Sequence, residues 1–304
     1  MIYTITTNPS LDYYLYFSKT IVAGEHNRSN SESYDAGGKG VNVSIFLNNL
    51  GIQSACLGFL GGFTKDYYLD RLKKYSHIQP LFTNIKDNTR INIKTMDGVS
   101  TSLNALGPHI TDEEFSKFTT RAKKIYDDDY IVLSGMVQDE LNDRIEQLVS
   151  ELSSVGTKVI LDTDTDLTEE CLKYNPYLVK LNDQNTGVDE NEIISKAKDY
   201  ISKGCKCVIY SSPIIKDYYL ITEEKNYKAS REELNVSTGS GDSMIAGFLY
   251  SNLRGASPEE SFKYAVACSK TLSLNDDNVD RSMIEAEFDK VNVTEFWWKR
   301  LLAY

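Results

Sequence analysis

Two short stretches of this sequence hold the residue types that chemistry on a phosphoryl group would need. One is Thr238-Gly239-Ser240-Gly241-Asp242-Ser243, followed by apolar residues at Met244, Ile245, Phe248, Leu249 and Leu253. This i, i+1, i+4, i+5 spacing predicts a helix with one buried face, stopped by Gly255. Glycines ahead of a helix start let several backbone N–H groups converge on one point, and the positive end of the helix dipole adds to them. The turn therefore suits an anion. An aspartate there repels what the amides attract, which makes sense if it takes a proton from a hydroxyl attacking a bound phosphoryl group. Taken alone, the same residues also describe a capped helix and nothing more.

The other stretch is Asp35-Ala36-Gly37-Gly38-Lys39-Gly40, leading into a helix marked by Val43, Phe46, Leu47 and Leu50 and ended by Gly51. Its glycines bring backbone amides close to an anion, and Lys39 adds a mobile positive charge. The spacing is not that of a Walker A loop, and a flexible turn is the other reading. Asp12 is the only charge in the aromatic run Leu11 to Phe17. It either keeps an edge strand soluble or holds sugar hydroxyls.

The elements that must position these residues follow a βα rhythm. Residues 2–7 read as a strand, as do Ala55 to Leu60, Tyr130 to Leu133, Lys158 to Leu161, Tyr177 to Lys180, Cys205 to Tyr210 and Tyr218 to Ile221. Helices fall between them, including one opened by the capping box Thr111-x-x-Glu114 and one opened by Ser257-Pro258-Glu259-Glu260. Such alternation specifies a mainly parallel sheet covered on both faces, with ligands beyond the carboxyl ends of its strands. Ser134-Gly135, Asp162, Lys180 and Asn182 are expected there. Short strands outside the rhythm, at about 11–35 and 88–105, predict a small β-sheet appendage, with Thr89 to Lys94 pairing to Ser100 to Asn104 across Asp97-Gly98. The tail from Asp280, with Phe296, Trp297 and Trp298, is expected to form one or two surface helices.

Composition narrows the classes of function. A net charge of −11 over 304 residues, without basic clusters, argues against nucleic-acid and anionic-membrane partners. No apolar run reaches membrane-spanning length and Met1 to Ser10 lacks signal-peptide character, so a cytoplasmic location is expected. Five scattered cysteines point to free thiols, with Cys205 and Cys207 as strand packing. Only His26, His77 and His109 are present, which leaves little for a metal cluster or a Ser–His–Asp hydrolase.

Taken together the motifs resemble the PfkB (ribokinase-like) carbohydrate kinases, in the branch of 1-phosphofructokinases and tagatose-6-phosphate kinases. The resemblance rests on Thr7 to Asp12, Asp35 to Asn42, Gly58 to Thr64, Thr89 to Lys94, Leu133 to Gly135 and Ser237 to Leu249, in that order over nearly the whole chain. It implies one ribokinase-like α/β domain over 1–304, a three-layer fold whose β lid covers the sugar and serves as the clasp of a possible homodimer. It implies ATP and Mg²⁺ beside a ketohexose monophosphate, with fructose 1-phosphate the leading acceptor. Asp12, Asn42 and Ser134 would then belong to the sugar site, with Gly37 and Gly38 letting the substrate approach. Lys39, Arg90 and Arg28 would hold the phosphate already on the sugar, as charge-assisted recognition of a dianion requires. Gly239, Ser240 and Gly241 would cradle the γ-phosphoryl group and Asp242 would be the base. Lys180, Asn182 and Ser211, with Gly239 and Gly241, would face the nucleotide.

The nucleotide side departs from the family pattern. Where the family shows K-P-N-x-x-E, this chain has Lys180-Leu181-Asn182-Asp183-Gln184-Asn185, losing a carboxylate that helps arrange Mg²⁺ unless Asp183 replaces it. The S-L-G-x-x-G strand end is replaced by Ser211-Ser212-Pro213-Ile214-Ile215-Lys216, and Asn275-Asp276-Asp277-Asn278 lacks the usual small-residue turn near the adenine. Two active readings follow: a sugar-phosphate kinase, for fructose 1-phosphate or tagatose 6-phosphate, and a sugar-phosphate-binding protein with a degraded ATP site. A structural protein without ligand leaves the matching cations and base unexplained. The metal ligands are not assigned by the sequence.

Overall fold

Every second side chain of the central strands points to the same face, and in this chain both faces are apolar, which commits the sheet to a layer of helices on each side. The computed structural model describes residues 1–126, 128–187, 189–230, 239–275 and 279–297. Thr238, residues 276–278 and Trp298, all singled out in the sequence, lie outside them.

β1 (Ile2–Thr6) leads into β2 (Ser10–Tyr16) and β3 (Ser31–Gly37), and α1 (Lys39–Asn49) starts at the lysine-bearing glycine turn. β4 (Ser54–Gly61), α2 (Gly62–Leu72), β5 (Ile78–Pro80) and β6 (Thr83–Ile85) precede the hairpin of β7 (Arg90–Met96) and β8 (Ser100–Leu103). Alternation then becomes regular through α3 (Asp112–Ala122), β9 (Tyr130–Ser134), α4 (Asn142–Ser154), β10 (Lys158–Asp162), α5 (Thr165–Cys171) and β11 (Leu178–Leu181). α6 (Asp183–Thr186), α7 (Glu190–Ser202), β12 (Cys207–Tyr210), β13 (Asp217–Thr222) and β14 (Asn226–Ser230) follow. α8 (Ser240–Asn252), α9 (Pro258–Asn275), α10 (Arg281–Phe288) and β15 (Val293–Phe296) complete the chain.

The large sheet runs β15-β14-β13-β12-β11-β10-β9-β1-β4-β5, with β6 also paired to β4. It is parallel from β5 to β12 and antiparallel from β12 to β15. Ile131, Leu133, Val159 and Leu161 pack on one side with Phe118 of α3, Ile145 of α4 and Ile193 of α7. Tyr130, Val132 and Ile160 pack on the other with Leu47 of α1, Phe248 of α8 and Ala265 of α9. Both capping boxes form: Thr111 with Glu114, and Ser257 with Glu260.

A second, four-stranded sheet in the order β3-β2-β7-β8 stands apart from the first. It is built from the two stretches expected to form the appendage, and Gly98 turns its hairpin at a φ of 94°. β2 and β7 run parallel, placing Ser10 beside Arg90, Asp12 beside Asn92 and Tyr14 beside Lys94.

Two expectations are corrected. α8 is buried nearly all round instead of along one face, because it is enclosed by the sheet, α1 and α9; a Cβ on Gly247 would lie 2.6 Å from Cys268 Sγ. Leu253, expected in the buried face, caps the helix and is 45 % exposed. Among the described residues the tail holds one helix, α10, and then a strand: Val293 to Phe296 pair antiparallel with β14, since β-branched and aromatic residues fit a pleated edge. All five cysteines are free and buried. Among the described residues no helix is long and apolar enough to cross a membrane.

Candidate active site

The parallel strands bring their carboxyl ends to one edge, and the residues with chemical capacity gather there: Ser134 ends β9, Asp162 ends β10 and Lys180 is next to last in β11. The amino ends of α1 and α8 point to the same edge, one carrying Lys39 and the other Ser240 to Asp242. A cavity of about 600 Å³ opens between them and the small sheet, with Asp12, Gly37, Asn42, Lys94 and Gly239 in its wall.

Asp12 is buried at 7 % exposure and held by three side chains. Its Oδ1 accepts from Ser10 Oγ at 2.6 Å and from Asn92 Nδ2 at 3.2 Å, and its Oδ2 lies 2.7 Å from Lys94 Nζ. Gly37 is required by this closeness, because a Cβ there would sit 2.6 Å from the Asp12 carboxylate. Lys94 is a site residue that the sequence reading quoted only as part of a motif. The signal was present: Arg90, Asn92 and Lys94 alternate along β7, so all three share one face. Burial draws the Lys94 amine down, but the charges of Asp12 and Tyr14 and its hydrogen bonds to them outweigh this and raise it above the ordinary lysine value.

Asp242 lies in the first turn of α8, whose N-cap Gly239 takes a left-handed φ of 88° that disfavours any other residue. The carboxylate is 4 % exposed, and its Oδ2 accepts from Asn42 Nδ2 at 2.8 Å. Asn42 thus links Asp242 to the cavity wall. Burial, reinforced by the negative charge of Asp162, pushes the Asp242 carboxyl up to about 7 against the pull of Lys39, Asn42 and Lys180.

Asp162 is the second residue the sequence reading left without a role. It is 3 % exposed, accepts from Ser134 Oγ at 3.0 Å, and pairs with Lys39 at 3.6 Å and Lys180 at 3.8 Å. Asp162 raises the Lys39 amine above its usual value, with burial opposing. Lys180 is itself buried, and it explains Gly241: a Cβ at Gly241 would lie 2.7 Å from Lys180 Cε. Two carboxylates and two ammonium groups therefore form a charge-balanced set at the strand ends, and Ser240 packs beside it at 8 % exposure.

The remaining candidates divide. Gly38 is the N-cap of α1. Arg90 donates from Nη1 to Ala105 O and from Nη2 to Asn8 O, both at 3.0 Å, and burial lowers its basicity. Its Nε is buried with no hydrogen-bond partner among the described residues. Arg28 is exposed on the segment between β2 and β3. Ser211 follows β12 and donates its N–H to Leu181 O at 3.1 Å. Asn182 donates its N–H to Asn185 Oδ1 at 2.8 Å, and Asn185 Nδ2 donates to Thr165 Oγ1 at 2.9 Å. The amide that replaces the family's glutamate thus ties α6 to the start of α5. Pro213 and Lys216 are exposed.

A parallel α/β sheet with a β lid, a glycine turn at a helix start and a buried carboxylate beside a cation-bearing cavity defines a carbohydrate kinase of ribokinase-like fold. The chain belongs to the pfkB family of carbohydrate kinases, whose profile matches residues 6–275. It is 31 % identical over 304 residues to the 1-phosphofructokinase of Bacillus subtilis, covering 97 % of this chain and 99 % of that one. It is 27 % identical over 305 residues to the D-tagatose-1-phosphate kinase of Bacillus licheniformis, covering 97 % and 99 %. The fold matches that of phosphofructokinase-2 from Escherichia coli, solved with substrates and products, at a TM-score of 0.88 and 22 % identity over 95 % of this chain and 98 % of that one.

Proposed function

We propose that the protein transfers the γ-phosphoryl group of ATP to a hydroxyl of a ketohexose monophosphate, with fructose 1-phosphate giving fructose 1,6-bisphosphate as the leading case. The observation that carries this reading is Asp242: a buried carboxylate in an anion-binding helix turn, bonded to Asn42 in the wall of the cavity. In the proposed step the sugar O–H gives its proton to Asp242 as its oxygen attacks the γ-phosphorus. The bond to the β–γ bridging oxygen breaks and ADP leaves with that electron pair. The amides of Gly239, Ser240 and Gly241, with Lys180, would offset charge on the transferring group. The likeness to a 1-phosphofructokinase supports the choice of acceptor.

Asp12 and Asn42 would hold sugar hydroxyls. Lys39 and Arg90 would hold the sugar's phosphate, Arg90 exchanging a loop carbonyl for a phosphate oxygen, with Arg28 brought in from the exposed segment. Among the described residues no three His, Cys, Asp or Glu side chains gather to hold a metal. The residues do not fit a resident metal cage, so Mg²⁺ belongs with the ATP phosphates that carry it. A homodimer through the lid would cover Tyr16, Val99 and Leu103, which are exposed there.

Asn185 and Pro213 support a second reading, a sugar-phosphate-binding protein with little use of ATP. A coupled ADP-release assay with fructose 1-phosphate, fructose 6-phosphate, tagatose 1-phosphate and tagatose 6-phosphate, beside calorimetric titration of ATP, separates the two. Turnover with one of the four supports the kinase; turnover with none and no heat of ATP binding leaves the binder.

A further inference from the structure

The ion pair of Lys94 and Asp12 joins two lid strands in the wall of the acceptor cavity, and the step described above gives Lys94 nothing to do. The two side chains are 12 % and 9 % exposed. Taking both charges out of water is costly, and neutralising Asp12 alone is weak reason for it, since hydroxyl and amide donors from Ser10 and Asn92 already reach that carboxylate. An ammonium group has three N–H donors. Lys94 uses one on Asp12 Oδ2 at 2.7 Å and one on Tyr14 Oη at 3.1 Å, which leaves a third, and the side chain lines the cavity. On Asp12, Oδ1 takes both neutral donors, so Oδ2 is the oxygen with a lone pair to spare.

A carboxylate oxygen and an ammonium nitrogen in contact present an acceptor and a donor one hydrogen-bond length apart. Two neighbouring hydroxyls of a sugar have the matching arrangement: one donates to Asp12 Oδ2 while the next accepts from Lys94 Nζ. A lone carboxylate could read only the first. We infer that the Asp12–Lys94 pair reads a vicinal diol of the acceptor and that Lys94 is a specificity-determining residue for the sugar. This rests on the acceptor site of the proposed kinase, though not on its turnover.

The test uses calorimetry and steady-state kinetics on the full-length protein. The ligand is whichever of fructose 1-phosphate, fructose 6-phosphate, tagatose 1-phosphate and tagatose 6-phosphate the wild type binds, with its 3-deoxy and 4-deoxy analogues. Lys94→Met is expected to weaken sugar-phosphate binding roughly 10- to 100-fold, the size of a charge-assisted hydrogen bond. The loss should fall in KM for the sugar, exceed any fall in kcat and leave KM for ATP little changed. A deoxy analogue that binds the wild type poorly should lose nothing further in Lys94→Met. Should that variant melt early, Asp12→Asn/Lys94→Met removes both charges and should be equally blind to the missing hydroxyl. Wild-type sugar affinity in a folded Lys94→Met, or full deoxy discrimination in either variant, overturns the inference. A wild type that binds the sugar phosphate without transferring phosphoryl, while Lys94→Met binds it less, defeats the kinase reading and supports this one. No binding of any of the four by the wild type overturns both.

Discussion

Asp242 is where burial and function pull against each other. Removing a carboxylate from water favours its neutral form, the neighbouring Asp162 adds to this, and two lysines with one amide do not fully restore the charge. Asp242 therefore titrates near about 7. A base works only when ionised, so kcat/KM for the sugar phosphate should fall as pH drops through that value. A pH profile without an acid limb there would remove Asp242 from the rate law. Stability has the opposite sign. A folded-state value above the unfolded one gives stability that is present in acid and lost as pH rises through about 7. Asp242→Asn should accordingly melt above the wild type at alkaline pH, with the gap closing as pH falls toward the ordinary carboxylate value of about 4. Asp242 could be singled out in the sequence as a candidate base because a glycine turn, an aspartate and a helix occur together within a few residues. The partners that set its acidity were not, since Asp162, Lys39 and Lys180 meet only when separate βα units align.

At the scale of elements, α8 is placed for chemistry by being buried on all sides. The same close packing leaves no space at Gly241, where a Cβ would displace Lys180. Gly241→Ala should lower kcat about 10²-fold, as misplacement of a reacting group by an ångström can, while sugar-phosphate affinity changes little; equal loss of affinity would mean the helix has moved as a whole. The βα alternation and both capping boxes could be read directly, because hydrophobic period and cap chemistry are local. Two readings failed for the same physical reason. Leu253 fits the apolar spacing but falls at the helix end beyond the core, and Val293 to Phe296 became a strand because β14 offered an open edge. Tertiary neighbours decided both.

Across the whole molecule, the cavity proposed for the acceptor lies between the small sheet and the helices α1 and α9, and the small sheet does not pair with the large one. A ligand bridging them should tie the small sheet to the large one. Sugar phosphate is thus expected to slow amide hydrogen exchange in β2 and β7 more than in β9 or β10, and ATP alone should not. Exchange unchanged in the lid strands would mean they do not close over the acceptor. That a small separate sheet exists was visible as short strands outside the alternation; that it carries a buried ion pair was not, because the pairing of β2 with β7 spans most of a hundred residues of chain.

The role proposed for Asp242 is that of the base in a sugar-phosphate kinase. It is tested most directly by ADP release from ATP and fructose 1-phosphate, wild type against Asp242→Asn, with sugar-phosphate affinity measured in parallel by calorimetry. The expected result is a fall in turnover of ~10²–10⁴-fold, the size of a general-base contribution, with affinity little changed. Equal turnover by the two proteins would contradict it.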